Sequence, residues 1–373
     1  MPDWKLFSAD DHVDLPYLPG DLWEKRVPAA YRDRAPRLVE RATDWHWELD
    51  GRLLGTPQKK DAVITTSFGH WSTPVEHEGG RWRPTTPELR LADMDRDGVE
   101  TQVLYGGLTR GFGVEDPDLN TVVTRAYNEW TADFCAAAPE RLVGLGWIPT
   151  HSVEAAIEEM HNCARLGLKG VQFQAFFAEK PHWDEVWEPL WDAGEETGLP
   201  VSFHVGGGQW STQGEKPPGR GVQTTSTTVA PIQLDEVLVS VVMSGILHRH
   251  PGLRVVLGES SIGWIPFVLH RMDWEYDVRM NKGRGGDAAV LDMRPSDYYR
   301  RQVYATFQSD PVGVKLLEEV GVDNALWASD YPHGDSVWPR SQETVDEEFA
   351  GVDEAVARKV TRDNGIKLYL GGE

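Results

Sequence analysis

The chain has 373 residues, of which 40% are hydrophobic and 26% charged, and its 59 acidic residues against 37 Lys and Arg give a formal net charge of −22. This composition is typical of a globular protein, and the length accommodates two ordinary domains or one large barrel. The acidic balance disfavours nucleic acids and anionic membrane surfaces as partners, because both attract basic patches.

The start of the chain and its cysteines favour a cytoplasmic location. The first residues, MPDWKLFSADD, lack the basic segment and apolar stretch of a secretory signal. No apolar run approaches the length that spans a bilayer. Cys135 and Cys163 both fall within helical patterns, so we expect small buried thiols rather than a disulfide or metal ligands.

Short β-rich runs alternate with amphipathic helical patterns along the chain. The runs are KLFSADDHV (5–13), ETQVLYGG (100–107), RLVGLGWI (141–148), LKGVQFQ (168–174), PVSFHVGG (200–207), LRVVLGES (253–260), QVYATFQS (302–309) and ALWASDYP (325–332). Most are continuously apolar, as parallel strands buried on both faces require. Eight strands alternating with helices predict an α/β fold, the (β/α)8 TIM barrel. An open doubly wound sheet is the competing fold, but no phosphate-binding glycine pattern follows the first strand.

Two segments interrupt this alternation. Residues 15–87 are aromatic, Pro-rich and hairpin-like, and residues 208–230 form a polar loop rich in Gly and Pro. Both follow the carboxyl ends of predicted strands, on the face where barrel enzymes build their active sites. We therefore predict one barrel domain over residues 1–373, with insertions at that face.

Acidic and histidine side chains collect at the carboxyl ends of the predicted strands. Asp10 and His12 lie two residues apart on the first strand and so face the same way, while Asp11 faces the other way. Later strand ends add His204, Glu259, Asp330 and His333. Because the carboxyl ends of barrel strands converge on one mouth, we expect these side chains to meet there. Carboxylate and imidazole ligands together suit Zn²⁺, Fe²⁺ or Mn²⁺.

Several of these residues also have an ordinary structural explanation. His204 alone could be only a hydrogen-bonding histidine, and Asp330 could cap the turn that follows it. Asp14 is expected to form a cap or turn before Pro16 rather than to bind metal. Asp11 is expected to serve the backbone or a subunit contact.

Other polar residues are weaker candidates. His182 begins a helix on the face of the predicted site, where a substrate contact competes with a surface-loop position. Arg220, in the second interrupting segment, could recognise a carboxylate or phosphate, or be a solvated loop charge. His248 and His250 precede the sixth predicted strand and are expected at the opposite end of the barrel, so we exclude them as ligands.

Four stretches of the sequence resemble the amidohydrolase superfamily, in the branch that contains aminocarboxymuconate-semialdehyde decarboxylase and γ-resorcylate decarboxylase. They are SADDHVDLP, FHVGGG, LRVVLGESSIGWIPFVLHRMD and LWASDYPHGDSVWP, in this order along nearly the whole chain. The resemblance implies a metal-bearing (β/α)8 barrel, which agrees with the strand count. Carried over position by position, it implies the metal ligands Asp10, His12, His204 and Asp330.

One position departs from the pattern of this branch. Decarboxylases and hydratases that resemble it usually carry a catalytic His at the end of the sixth strand, where this chain has Glu259. Glu259 could act as a general base, an orienting carboxylate or a ligand. Together with His333 it could complete a second metal position, because a cluster of three carboxylates is costly unless cations neutralise it. We therefore expect two divalent ions per chain, Fe, Mn or both, with Zn as the alternative.

Some proteins that resemble this branch are dinuclear non-haem monooxygenases on the same barrel, and they suggest the first functional hypothesis. In it, a dinuclear Fe or Fe/Mn centre uses O₂ to hydroxylate a small carboxylate or acyl substrate, and Asp330, Glu259 and His333 are catalytic. The alternative is metal-dependent hydrolysis or non-oxidative decarboxylation, with Asp330 or Glu259 as the base. The third hypothesis is a non-catalytic, metal-bound subunit. A homodimer or a heterodimer with a homologue is expected, because barrels of this branch tend to be dimers.

Overall fold

The computed structural model of the protein describes residues 4–59, 64–68, 71–75, 77–78, 81–82, 85–107, 114–206, 221–280 and 291–371. Its strands in these ranges are β1 (Leu6–Asp14), β2 (Arg37–Glu40), β3 (Asp44–Leu49), β4 (Arg52–Lys59), β5 (Ile64–Phe68), β6 (Trp71–Val75), β7 (His77–Glu78), β8 (Arg81–Trp82), β9 (Val99–Gly107), β10 (Leu142–Trp147), β11 (Gly170–Gln172), β12 (Val201–His204), β13 (Val255–Gly258), β14 (Val303–Phe307) and β15 (Ala325–Trp327). Its α-helices are α1 (Leu22–Arg26), α2 (Pro87–Asp97), α3 (Pro117–Cys135), α4 (Val153–Leu166), α5 (Glu188–Thr197), α6 (Val222–Val229), α7 (Asp235–Met243), α8 (Ile246–Arg249), α9 (Ile265–Glu275), α10 (Pro295–Gln302), α11 (Pro311–Lys315), α12 (Leu317–Val320), α13 (Ser341–Glu348) and α14 (Glu354–Arg358).

The central sheet has eight parallel strands, and each pairs with the next one in the order β1, β9, β10, β11, β12, β13, β14, β15. The last strand returns to the first through two backbone hydrogen bonds. The N–H of Asp330 donates to the carbonyl of Asp10 (2.9 Å), and the N–H of His12 donates to the carbonyl of Tyr331 (2.7 Å). The sheet thus closes into a (β/α)8 barrel, and the predicted fold is confirmed.

All the predicted barrel strands are present and in the predicted order. β11 and β15 are the shortest of them, with three residues each. The runs 168–174 and 325–332 therefore continue beyond their strands as loops at the carboxyl end of the barrel. Several residues of the candidate site lie on these loops.

Side chains of alternating strand residues fill two apolar layers. Val103 and Val143 belong to an inner cluster formed by side chains from several strands around the barrel. Their neighbours Leu104 and Leu142 belong to the larger cluster between the strands and the helices. This alternation is why the sequence of each strand is continuously apolar.

The two cysteines fill space between helices and strands. Cys135 and Cys163 are buried and unpaired, as predicted. A Cβ at Gly144 would lie 2.9 Å from the Cys135 sulfur, and one at Gly146 would lie 2.3 Å from the Cys163 sulfur. The sulfurs therefore occupy room that glycines in β10 leave open, which is a packing role.

The first interrupting segment forms small antiparallel sheets, β2–β3–β4, β5–β6 and β7–β8, as its hairpin-like sequence indicates. Of the second predicted segment, residues 208–220 lie outside the described residues, and α6 begins at Val222.

One helical stretch, Thr224–Met243, is 20 residues long and apolar enough by composition to cross a membrane. It is not a continuous apolar run, because Pro231, Gln233, Asp235 and Glu236 lie within it. A short 3₁₀ turn, Ala230–Leu234, separates α6 from α7 within this stretch. Val237, Leu238, Val241 and Val242 of α7 are buried in the core, so α7 packs as a core helix of the barrel.

Candidate metal centre

β1 supplies two side chains of the site, and an irregularity in this strand sets their direction. Ala9 belongs to the inner apolar cluster, so in a regular strand Asp10 and His12 would face the other side. The pairing of β1 with β9 shifts register between Ser8 and Asp11. Such a shift re-aims the residues that follow it, and here it brings Asp10 and His12 to the barrel mouth.

Asp11 faces away from the mouth, as predicted, and serves the backbone. Its Oδ1 accepts hydrogen bonds from the Ser329 hydroxyl (2.5 Å) and from the N–H of Tyr331 (3.0 Å). Nearby, the buried guanidinium of Arg90 donates to the carbonyl of His12 (2.8 Å). These bonds fix the end of β1 against the loop that follows β15.

Three further strand ends reach the same place. His204 is the last residue of β12, Glu259 directly follows β13, and Asp330 lies just beyond β15. Glu259 and Asp330 have φ angles of 52° and 59°, a left-handed conformation that is uncommon for residues with a Cβ atom. Asp10 stabilises both, because its Oδ2 accepts from the N–H of Glu259 (2.8 Å) and its carbonyl accepts from the N–H of Asp330 (2.9 Å). Backbone strain of this kind clusters at functional sites.

The structure brings the potential metal-binding atoms of these side chains close to one another. Nε2 of His12 lies 3.4 Å from Asp10 Oδ1 and 3.2 Å from Asp330 Oδ1. Nε2 of His204 lies 3.5 Å from both Asp10 Oδ1 and Glu259 Oε2. Two overlapping groups have ligand atoms that all lie within 4.8 Å of one another: His12, Glu259, Asp330 and His333, and Asp10, His12 and His204.

Five of these side chains bury ligand atoms that have no hydrogen-bond partner within the part of the chain that the structure describes. The atoms are Asp10 Oδ1, His12 Nε2, His204 Nε2, Glu259 Oε2 and Asp330 Oδ2. A buried polar atom without a partner costs roughly 1–3 kcal/mol. A divalent cation between these atoms would satisfy them together, and a nitrogen and oxygen donor set without thiolate suits Mn, Fe or Zn. The residues present therefore fit a metal ion.

The electrostatics of the cluster also favour a bound cation. Burial raises the pKa of Glu259, and the neighbouring Asp330 raises it further. Burial opposes ionisation of Asp330 as well, but His333 and His12 outweigh it and hold the pKa of Asp330 below its usual value. Carboxylates this close repel one another, and a cation would relieve that repulsion.

Asp14 connects two histidines of the site. Its Oδ2 lies 2.8 Å from His333 Nε2, and its Oδ1 lies 3.4 Å from His12 Nδ1. Its side chain makes no capping hydrogen bond to the turn Leu15–Tyr17 that follows, so the expectation of a cap is wrong. Metal-binding histidines commonly have their second nitrogen held by a carboxylate, and Asp14 fits that role for His12.

Thr306 of β14 is another residue that the sequence did not reveal. Its hydroxyl donates to Oδ2 of Asp10 (2.7 Å) and accepts from the N–H of Glu259 (2.7 Å). These bonds occupy Oδ2 of Asp10, so its Oδ1 is the oxygen that faces His12 and His204. A single Thr within a strand gives no sequence signal, since its role depends on which residues lie opposite it in the barrel.

A cavity of about 470 Å³, including the space at its open mouth, lies beside the cluster. Three histidines, His12, His204 and His333, line it on the side of the candidate metal centre. The other lining residues are Asp14, Gly106, Gln172, Gln174, Phe176, Phe177, Val205 and Gly206.

Of the two predicted substrate contacts, His182 is not among these lining residues. His182 is buried, with its Nε2 2.7 Å from the Ser240 hydroxyl and its ring against Phe203. Its burial excludes a surface-loop position, and the substrate contact stays a prediction. Arg220 lies outside the described residues.

His248 and His250 lie beside the start of β13, at the opposite end of the barrel, as predicted. His250 pairs there with Glu188, with Nε2 and Oε2 2.9 Å apart.

Two curated decarboxylases are similar in sequence to this chain. The γ-resorcylate decarboxylase of Rhodococcus jostii (strain RHA1) is 24% identical over 307 residues, which cover 76% of this chain and 87% of the relative. The 2-amino-3-carboxymuconate-6-semialdehyde decarboxylase of Dictyostelium discoideum is 24% identical over 251 residues, or 66% of each chain. The branch that the sequence resembles is thereby confirmed.

Solved structures share the fold. An amidohydrolase from Mycobacterium avium subsp. paratuberculosis K-10 aligns over 99% of this chain and 100% of its own, with a TM-score of 0.78 and 19% identity. A 5-carboxyvanillate decarboxylase from Novosphingobium aromaticivorans, complexed with manganese, aligns over 75% of this chain and 78% of its own, with a TM-score of 0.62 and 22% identity. The amidohydrolase family model matches residues 41–370, which make up most of the chain. The chain therefore belongs to the amidohydrolase family.

Proposed function

We propose that this amidohydrolase is a metal-dependent decarboxylase that removes a carboxylate group from a small organic acid as CO₂, without O₂. The observation that carries the proposal is the convergence of buried, unpartnered ligand atoms beside a cavity that His333 also lines. The decarboxylase relatives support this reaction over the O₂-dependent hydroxylation that the sequence placed first.

Asp10, His12, His204 and Asp330 would hold the metal ion, with Glu259 beside them. A divalent ion bound there would polarise the substrate carboxylate and neutralise the surrounding carboxylates. The manganese in the related 5-carboxyvanillate decarboxylase supports Mn²⁺ for this site.

Decarboxylation also needs a proton donor. The carbon–carbon bond to the carboxylate breaks, its electron pair stays on the substrate carbon, and that carbon takes up a proton. His333, which lines the cavity, would supply it by turning one ring nitrogen from its carboxylate partner toward the substrate carbon. Its Nδ1 lies 2.9 Å from Asp330 Oδ1, and its Nε2 lies 2.8 Å from Asp14 Oδ2. In this chain His333 would take the acid–base role that the resemblance assigns to a histidine at position 259.

The test is CO₂ release from a panel of benzoates and hydroxybenzoates by manganese-loaded protein, in air and under nitrogen. We expect equal rates in both atmospheres and a product that has hydrogen in place of the carboxylate. His333→Asn should lower the rate by roughly 10²-fold or more at unchanged metal content, as loss of a general acid does. His248→Asn, at the other end of the barrel, should retain the rate. Turnover only with O₂ and a reductant would overturn the proposal.

A dinuclear monooxygenase is the second candidate, and one observation favours it. His12, Glu259, Asp330 and His333 form a ligand group that overlaps the group of Asp10, His12 and His204, so the cluster offers donors for two ions. Two equivalents of Fe or Mn per chain, together with O₂ uptake in the panel assay, would support this candidate. A cytoplasmic location, assembly as a dimer and a non-catalytic role beside a homologue stay predictions.

A further inference from the structure

The side chain of Gln172, the last residue of β11, has a hydrogen-bond donor without a partner in the described ranges of the chain. It is only 3% exposed, and it lines the cavity beside the candidate metal centre. Its Oε1 accepts from the N–H of Gly106 (3.5 Å). Its Nε2 is buried without a hydrogen-bond partner among the described residues.

The contact with Gly106 sets which end of the amide is left free. A backbone N–H needs an oxygen opposite it, so Oε1 faces Gly106 and the NH₂ group is the remaining end. Only glycine fits at position 106, because a Cβ there would lie 2.7 Å from the carbonyl of Val13 and 2.6 Å from the Tyr127 hydroxyl. The NH₂ group is therefore the end of the amide that faces away from Gly106, and it has no acceptor in the part of the chain that the structure describes.

The residues that follow Gln172 supply an aromatic wall. Phe176 and Phe177 line the same cavity and are 36% and 42% exposed, which is high for phenylalanine. Ligand pockets are commonly lined by aromatic side chains with a few placed polar groups, and a flat aromatic face can pack against a planar ligand.

We propose that Gln172 is a specificity-determining residue, whose Nε2 donates to an oxygen substituent of a planar, aromatic or conjugated acid that packs against Phe176 and Phe177. This inference rests on the proposed function for the acid group, which the candidate metal centre would bind. It adds that the substrate carries a second acceptor oxygen, a hydroxyl, ether or carbonyl, at the end that meets Gln172. A buried donor of this kind rejects an analogue that lacks the acceptor, because the donor then stays unpaired.

The probes are benzoate and its 2-, 3- and 4-hydroxy derivatives, added to manganese-loaded protein. Binding is read by stopped-flow quenching of tryptophan fluorescence, before any turnover. We expect at least one hydroxybenzoate to bind about fivefold or more tightly than benzoate. Gln172→Leu should abolish that preference and leave benzoate affinity within about twofold.

Gln172→Glu is the matched variant, because it keeps the size of the side chain and an oxygen for Gly106 while replacing the donor by an acceptor. A phenolic hydroxyl could donate to this carboxylate, so the probe for this variant is the methoxybenzoate with the same substitution pattern, whose ether oxygen only accepts. Gln172→Glu should disfavour that methoxybenzoate relative to benzoate. Melting temperature and manganese content of both variants show whether the barrel is intact. An unchanged preference in intact variants would overturn the assignment, as would a wild-type protein that binds all four probes alike or none.

Failure of this inference is distinguishable from failure of the proposed function. A Gln172-dependent binding preference without CO₂ release from any probe would keep the subsite and reject decarboxylation of this substrate class. CO₂ release with the same substrate preference in Gln172→Leu would keep decarboxylation and reject the subsite.

Discussion

Thr306 donates its hydroxyl hydrogen to Oδ2 of Asp10 across 2.7 Å. The same hydroxyl accepts the N–H of Glu259 at 2.7 Å, so one side chain ties the carboxylate of β1 to the end of β13. We predict that Thr306→Val, which keeps the shape and removes the hydroxyl, weakens metal binding by about 10- to 100-fold, as loss of a partner of a metal ligand commonly does.

Equilibrium dialysis against Mn²⁺ measures this effect without reference to activity. Thr344→Val is the matched control, because the Thr344 hydroxyl bonds within its own helix, to the carbonyl of Arg340 (3.0 Å). Equal dissociation constants for wild type and Thr306→Val would show that other contacts orient Asp10.

Asp14 is the carboxylate that His12 and His333 share. Asparagine in its place could accept from only one of the two rings and would carry no charge. We therefore predict that Asp14→Asn lowers manganese affinity about tenfold. At saturating Mn²⁺ it should still lower the rate of CO₂ release, because His333 loses one of its two orienting carboxylates.

The control for Asp14 is Asp133→Asn, which removes a largely exposed carboxylate paired with Arg26. Metal affinity and rate should match the wild type in that variant. If Asp14→Asn behaves in the same way, neither histidine depends on Asp14 for its orientation.

The metal content of a Glu259→Gln variant distinguishes a mononuclear from a dinuclear site. The decarboxylase proposal predicts about one manganese per chain in the wild type. Glu259→Gln should then keep that content, because Asp10, His12, His204 and Asp330 remain. Elemental analysis of both proteins, purified with added Mn²⁺, is the measurement. A fall from two equivalents to one would identify Glu259 as a ligand of a second ion and favour the oxygenase.

The barrel could be predicted from the sequence because each strand is a short apolar run and several of the helices between strands end at glycine. α2, α4 and α5 end at Gly98, Gly167 and Gly198, all in left-handed conformations. These signals are local, so neighbouring residues contain them. The strand ends then indicated where Asp10, His12, His204, Glu259 and Asp330 would meet.

The residues that orient these side chains could not be predicted in the same way. Thr306 and Gln172 act through partners that are far away along the chain, as Asp14 does through His333, and each residue type has many ordinary roles. Asp14 was misread because a local explanation, a cap before Pro16, was available. The shift of register in β1, which turns Asp10 and His12 to the mouth, also depends on its pairing with β9 rather than on local sequence.

Asp97, at the end of α2, provides a test of pH-dependent stability away from the metal centre. It is buried, its Oδ1 accepts from the N–H of Ser341 (2.9 Å), and its Oδ2 accepts from the Ser341 hydroxyl (2.6 Å). Burial raises the pKa of Asp97 to about 7, although both hydrogen bonds oppose the shift. A folded state with the higher pKa binds more protons than the unfolded state between the two values. The stability contributed by protonated Asp97 is therefore fully present below its ordinary pKa of 3.8 and is lost as the pH rises to about 7.

We predict that the Asp97→Asn variant does not lose this stability as the pH rises. Between pH 5 and pH 7, the free energy of unfolding of the wild type should fall relative to that of the variant by up to about 1.4 kcal/mol per pH unit, the limit for one proton. Urea unfolding of both proteins across this range, at saturating Mn²⁺, is the measurement, and pH effects of the metal centre are common to both. Parallel pH profiles would mean that Asp97 is ionised in the folded protein throughout the range, so that its hydrogen bonds to Ser341 outweigh the cost of burial.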